Sequence, residues 1–350
     1  MKICFFGIYD PTYSRNNILL SGLREIGVEV TECREDWRYK RRYFELWKNL
    51  RALHNDYDCV YVAYPSPVAT ILARLISSKP IISDAFYSMF EAVVYDRKEI
   101  AWWHPRAMKL LILDWLGIMF SHVSITDTEG NRQYWLSWFG VNKDKIHAVY
   151  LGVNDKLYHP LPYINKDYIL INWHGKFIPV QGTNKIIEVA RLCADNPKLR
   201  FRLIGNGQEY KRTKDLAESY KLENIEFVSR APVPPSELNK YMAEADIILG
   251  IFGDTAKGQR AVPNKVYEGL ASGRVVITMD TPAIREIFSD SEILLVNNDI
   301  KSIVDGIKML ANDKERCASL AKNGYIAVSR YFPAPVAKSL VAVISKYISK

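Results

Sequence analysis

The sequence predicts an α/β protein of two doubly wound domains, each built around a parallel sheet. Three observations predict it. The chain has 350 residues, long for one core and suited to two. From Lys2 onward, strand, helix and strand follow one another within about 30 residues, the rhythm of βαβ units that build parallel sheets. A Pro160-Leu161-Pro162 break then ends this series, and a second opens at Tyr168. The expected domains are residues 1–160 and 161–332, with 333–350 returning to the first.

Bulk composition narrows the partners. Hydrophobic residues make up 48% of the chain and charged residues 25%, the balance of a folded protein. A formal charge of +8 points to an anionic partner: nucleic acid, anionic lipid or a phosphorylated substrate. The five cysteines (4, 33, 59, 193 and 317) show no CxxC spacing, which argues against a zinc site and a disulfide framework and fits reduced cytosolic thiols. The apolar start Met1–Gly7 is too short for a signal peptide, and no apolar run reaches the ~18 residues of a membrane span. The expectation is a cytoplasmic chain able to touch a membrane from its inner face. His104 and His122 have no second ligand at metal spacing, so no metal site is expected.

In the first half, residues 2–7 read as a buried strand, 9–17 as a loop, Ile18–Ile26 as a helix and Val28–Val30 as a strand. Ligands of doubly wound sheets bind at the carboxyl ends of strands, so Arg15 in that loop is placed to meet a phosphate or to be solvated. Residues 34–51 hold seven Arg or Lys, three acids and five aromatics. Tyr39, Tyr43, Leu46, Trp47 and Leu50 make one helical stripe, with Arg38, Arg41, Arg42 and Lys48 largely outside it. Such a helix lies on an anionic bilayer or packs its stripe on the sheet. Stacking of nucleic-acid bases is disfavoured, since no RNA- or DNA-binding module surrounds it. Strands follow at 60–64 and 80–84. Asp84, ending the latter, is placed to orient a ligand hydroxyl, to take its proton, or to cap the next segment, with Tyr87 beside it. Trp102 and Trp103 precede an apolar helix, 106–120; exposed, they suit a membrane interface, and buried, they are core. Thr128 or Asp127 caps the helix after strand 123–126, and strand 145–150 ends this half.

In the second half, strand 168–173 leads to a loop, 174–183, and strand 201–204 ends in Gly205-Asn206-Gly207, a tight turn where backbone can approach a ligand. Strand 225–228 precedes a helix at 236–245 with a partial capping box on Ser236. The chain is organised around Pro263–Gly273. Proline opens a helix, Gly273 closes it with a positive φ, and Arg274–Thr278 follows as a buried strand. Lys265 and Glu268 share one face, either as a surface pair or as a site for a phosphate-bearing ligand at the helix N-terminus.

Pro263–Gly273, with Asp280–Ile287 after it, resembles the donor-site signature of the GT-B glycosyltransferases of family GT4. The resemblance covers nearly the whole chain and is specific mainly from 168 to 290. It implies two Rossmann-like domains facing across a cleft, the first for the acceptor and the second for a nucleotide-diphosphate sugar. It further implies a retaining, metal-independent transfer to an acceptor hydroxyl, with a UDP- or GDP-sugar as co-substrate and no cofactor. The acceptor is left open among a glycan, a lipid-linked molecule and a small molecule, as in glycan or glycolipid assembly at a membrane surface.

Residue by residue, the resemblance gives Glu268 the donor ribose, with Asn264 beside it, and sets Gly205, Asn206 and Gly207 in register with the family's glycine turn. The loop holding Arg230 matches the one that receives the nucleotide base. The family's diphosphate-binding arginine and lysine are replaced by Lys176 and Gln181, which loses one charge and the bidentate fork. Arg260 stands where relatives carry the first of two glutamates. Charge balance suggests that Arg260 and Lys265 grip the diphosphate instead. Asp84 takes the position of an acceptor-site histidine. The catalytic set expected is therefore Asp84, Lys176 and Glu268, with Arg15 and Tyr87 on the acceptor side. The losses at Gln181 and Arg260 leave two alternatives, a nucleotide-sugar isomerase or 2-epimerase on this scaffold, and a donor-binding pseudoenzyme.

Overall fold

A computed structural model describes residues 1–65, 67–162, 164–228 and 233–348. The chain divides into two compact units, Met1–Asn154 with Tyr331–Lys350, and Asp155–Arg330.

Unit 1 runs β1 (Lys2–Ile8), α1 (Ser14–Glu25), β2 (Glu29–Glu35), α2 (Arg42–Ala52), β3 (Cys59–Val62), α3 (Pro67–Ile76), β4 (Ile81–Asp84), α4 (Met89–Glu91), α5 (Pro105–Met119), β5 (Val123–Thr126), α6 (Glu129–Phe139) and β6 (Ile146–Ala148). Its six strands are parallel in the order β2-β1-β3-β4-β5-β6. β1, β3, β4 and β5 are buried almost throughout, as strands covered on both faces must be, which is why they read as continuous apolar runs. Thr128 is the N-cap of α6, its side chain accepting from Asn131 N. Trp135 on α6 is 2% exposed, and its indole N–H reaches Ala85 O at 3.0 Å.

Unit 2 runs β7 (Ile169–Lys176), α7 (Thr183–Leu192), β8 (Leu199–Asn206), α8 (Tyr210–Ser219), β9 (Ile225–Val228), α9 (Pro235–Glu244), β10 (Ile247–Leu249), α10 (Asn264–Ala271), β11 (Val275–Met279), α11 (Pro282–Arg285), β12 (Leu294–Val296), α12 (Ile300–Asn312) and α13 (Lys314–Val328). The order is β12-β11-β10-β7-β8-β9, again all parallel. Ile171, Trp173, Leu203, Leu249 and Ile277 form the centre of its core. The last helix, α14 (Pro333–Ile348), packs on α1 in unit 1.

Several expectations change. α1 begins at Ser14, so Arg15 is helical rather than part of a loop. β2 extends to Glu35 and takes the start of the basic 34–51 stretch. α9 starts at Pro235, with Pro234 as N-cap and no side-chain cap, because proline already presets the entry φ and Ser236 lies inside the first turn.

Candidate functional site

In unit 2 the strand order reverses between β7 and β10, and the loops after these strands, 177–182 and 250–262, flank the switch point where doubly wound sheets take ligands. The two loops are tied together by Phe252 N, which donates to Gln181 O at 3.1 Å. Lys176 ends β7 with its side chain exposed. Arg260 is half-buried in the second loop, and Asn264, half-buried, is the first residue of α10.

α10 forms as the sequence demands. Pro263 is its N-cap, and Gly273, at φ 69°, reverses the chain into β11. Its Lys265 and Glu268 are no surface pair, being 4% and 7% exposed. The Lys265 ammonium sits 4.3 Å from the Trp173 ring centroid and donates to Gln181 Oε1. Burial pushes its pKa down to about 7, against the opposing pull of Glu268. Lysine and glutamine, expected on the two sides of a diphosphate, are therefore in direct contact.

Glu268 Oε2 lies 2.8 Å from His174 Nε2. The Tyr158 hydroxyl also bonds Glu268, and its pKa is raised first by burial, then by the carboxylate's charge and this bond. His174 and Tyr158 thus hold the carboxylate in one orientation. Neither was singled out from sequence. A signal existed in β7, where Asn172 and His174 alternate with Leu170 on one face of an otherwise buried strand. Asn172 is fully buried, and among the described residues neither its amide nor His174 Nδ1 has a hydrogen-bond partner. Unpaired buried donors and acceptors are costly, and they recur where a ligand or water completes a site.

At Gly205 and Gly207 the requirement for glycine is met inside the unit. Gly205 has φ 133°, and a Cβ there would lie 2.0 Å from Gly175 O; at Gly207 it would lie 2.6 Å from Phe177 O. Asn206 Oδ1 accepts from Gly207 N at 2.7 Å. Close approach of backbone to backbone, rather than of backbone to ligand, accounts for this turn. Arg230 lies outside the described residues.

Unit 1 brings together the residues expected on the acceptor side. Arg15 and Asp84 form a buried ion pair, with Nε 2.7 Å from Oδ2 and 3.0 Å from Oδ1 and side chains 1% and 0% exposed. The Tyr61 hydroxyl donates to Asp84 Oδ2 at 2.8 Å, and Arg15 Nη1 donates to Val149 O at 3.1 Å. Burial opposes the charge on Arg15, but Asp84 and Tyr61 outweigh it and hold its pKa above the ordinary value. Arg15 is therefore a buried partner of Asp84 rather than a solvated side chain, and its Nη2 is left without a hydrogen-bond partner among the described residues. Tyr87, half-buried, leans on Tyr64 with ring centroids 4.9 Å apart. Asp84, Tyr64 and Tyr87 line a small pocket together with Asp114 and Trp135.

The 34–51 stretch resolves towards packing. Only 42–52 is helical; Arg38 and Arg41 precede the helix and Arg42 opens it. Leu46 and Leu50, with Tyr43 against them, are buried in the core of unit 1, so this part of the stripe packs on the sheet, while Tyr39 is exposed. Trp47 is half-buried, stacked on Phe44 at 5.7 Å. Among the described residues, no helix is long and apolar enough to cross a membrane, and no group of three His, Cys, Asp or Glu stands together as a metal site.

Two doubly wound parallel-sheet units in one chain make this the GT-B fold, and solved structures agree. The chain superposes on sucrose-phosphate synthase from Thermosynechococcus elongatus with a TM-score of 0.75 and 14% identity, covering 100% of this chain and 99% of that one. It superposes on Anabaena HepE, solved with UDP and glucose, with a TM-score of 0.71 and 14% identity, covering 99% and 100%. At these identities the likeness is one of fold. Residues 159–327, all within unit 2, match the family model described as glycosyl transferases group 1. An uncharacterized glycosyltransferase of Methanocaldococcus jannaschii, MJ1178, is 26% identical over 184 residues, 52% of this chain. The chain spans about half the length of this curated relative, 48%.

Proposed function

We propose that this protein is a glycosyltransferase of the GT4 kind, moving a hexose-like sugar from a UDP- or GDP-sugar to an acceptor hydroxyl with retention and without a metal. The observation that carries the reading is the buried Glu268, oriented by His174 and Tyr158 and one turn from Lys265, at the switch point of the unit that matches the group 1 family model. A carboxylate held from two sides keeps its geometry for the vicinal hydroxyls of a ribose. Lys265 is desolvated before ligand arrives; an incoming diphosphate restores its charge in a low-dielectric site, where that charge stabilises the leaving group most. Lys176, exposed at the end of β7, adds a second cation. That HepE was solved with UDP and UDP-glucose favours a uridine nucleotide among the donors. The acceptor belongs to glycan or glycolipid assembly at a membrane surface, for which the exposed Trp37, Tyr39 and Phe44 beside Arg38 and Arg41 supply one contact.

The test is a thermal-shift panel of UDP, GDP, ADP, CMP and dTDP with and without their sugars, on the wild type and Glu268→Ala. A diphosphate at 100 times its dissociation constant adds about 2.7 kcal/mol of stability. The expected result is one nucleotide clearly ahead, with the shift lost in Glu268→Ala. An unchanged shift in that variant removes the central residue of the reading. Binding without any transfer would favour a pseudoenzyme, and product from nucleotide sugar alone an isomerase.

A further inference from the structure

α5 is covered on one side only. Ala107, Asp114, Gly117 and Ile118 are buried. Met108, Ile112, Trp115 and Met119, spaced i, i+4, i+7 and i+11, form a single outward stripe whose members are 40–52% exposed. Trp102 and Trp103, just before the helix, are 57% and 69% exposed and pack edge to face at 5.7 Å. Water-facing apolar side chains scattered singly need no explanation; a contiguous stripe does.

Charge says what covers it. The exposed charges of α5 itself, Arg106 and Lys109, are both basic. Its acid, Asp114, is turned inward, where Ser88 Oγ at 2.7 Å and Phe90 N at 3.0 Å donate to it. Lys145 Nζ donates to Met119 O at 2.9 Å and adds a cation at the helix C-terminus. Upstream, Lys98 is exposed, and Glu99 is paired with Arg97 at 3.6 Å. A second copy of this chain, meeting the face across a two-fold axis, would set these cations against one another. An apolar stripe with tryptophans at its rim and an excess of cations over acids beside it, the acids being Glu99 and Asp144, is complementary to the headgroup layer of an anionic bilayer.

We infer that the outer face of α5, with Trp102 and Trp103, docks on an anionic lipid surface. The inference rests on the membrane-surface part of the reading above and not on its transferase part, and it moves the main contact from residues 34–51 to a different helix. The stripe enters the headgroup boundary, while Arg106, Lys109 and Lys145 meet lipid phosphates.

Flotation of the full chain with vesicles of phosphatidylcholine alone, and of phosphatidylcholine mixed with phosphatidylglycerol, tests it. The wild type should float only with the anionic vesicles, with a blue shift of tryptophan emission. Ile112→Ser with Trp115→Ser, and separately Arg106→Glu with Lys109→Glu, should each lower partitioning about tenfold or more. All four side chains face solvent, so melting temperature and nucleotide shifts should be retained, which separates failure here from failure of the donor site. A wild type that ignores anionic vesicles overturns the inference. So does loss of flotation only in Arg38→Glu with Arg41→Glu, which returns the contact to the earlier stretch. A concentration-dependent dimer abolished by the Ile112 and Trp115 changes would make the face an interface between copies, and also overturns it.

Discussion

Replacing Asp84 by asparagine separates a structural from a catalytic role for this carboxylate. The substitution keeps shape and leaves an acceptor for Tyr61, so what it removes is charge. Arg15 then remains 1% exposed without its ion-pair partner, its guanidinium 5.0 Å over the Phe86 ring and bonded to Val149 O, with only the longer-range charge of Asp127 still favouring it. Breaking a buried pair from one side costs about 3–5 kcal/mol, because the surviving charge stays desolvated. Arg15→Met together with Asp84→Asn should recover part of that loss, since no lone charge is then left inside. A chain of two units unfolds in more than one step, so a single melting temperature is the wrong readout. Native-state hydrogen exchange resolves the units: amides of β1, β4 and α1 should lose protection by that amount while those of β7 and β8 do not change. Unchanged protection throughout, with turnover abolished, would refute the structural assignment and restore Asp84 to the acceptor chemistry expected from sequence.

Two further outcomes follow from unit 2. Lys265 has a folded pKa of about 7 against an ordinary 10.5, so the unfolded chain binds the extra proton and stability rises with pH across that window. Lys265→Met should therefore stabilise the protein by about 2–4 kcal/mol at pH 6 and by less at pH 9, while abolishing the nucleotide shift; melting curves giving equal gains at both pH values would contradict a desolvated lysine. Gly205→Ala puts a Cβ 2.0 Å from Gly175 O at φ 133°, and should cost about 3 kcal/mol or more. Urea unfolding of unit 2 at its wild-type midpoint would show instead that the turn yields.

Most of the architecture was legible along the chain. Continuous apolar runs such as Val60–Ala63 and Val275–Thr278 can only be strands covered on both faces, and their alternation with helices forces parallel sheets. Gly273 and Thr128 fixed the ends of their helices by local backbone chemistry, with no help from distant residues. The donor segment was legible because Pro263, Lys265, Glu268 and Gly273 act within one helix. The stretch 34–51 stayed open because a basic amphipathic helix looks the same from sequence whether its stripe covers lipid or its own sheet.

What tertiary structure alone decided are pairings between residues far apart in the chain. Arg15 meets Asp84 across 69 positions, and Glu268 meets His174 across 94. Sequence shows which groups carry charge; it does not show which of them share a desolvated site, and desolvation sets whether a charge is solvated, spent on a partner or waiting for a ligand. For this reason the sequence determined two parallel-sheet domains and the helix bearing Lys265 and Glu268. Contacts between β7 and α10, and between α1 and β4, decided that Glu268 is held by His174, that Lys265 is buried against Trp173 and that Asp84 is paired with Arg15.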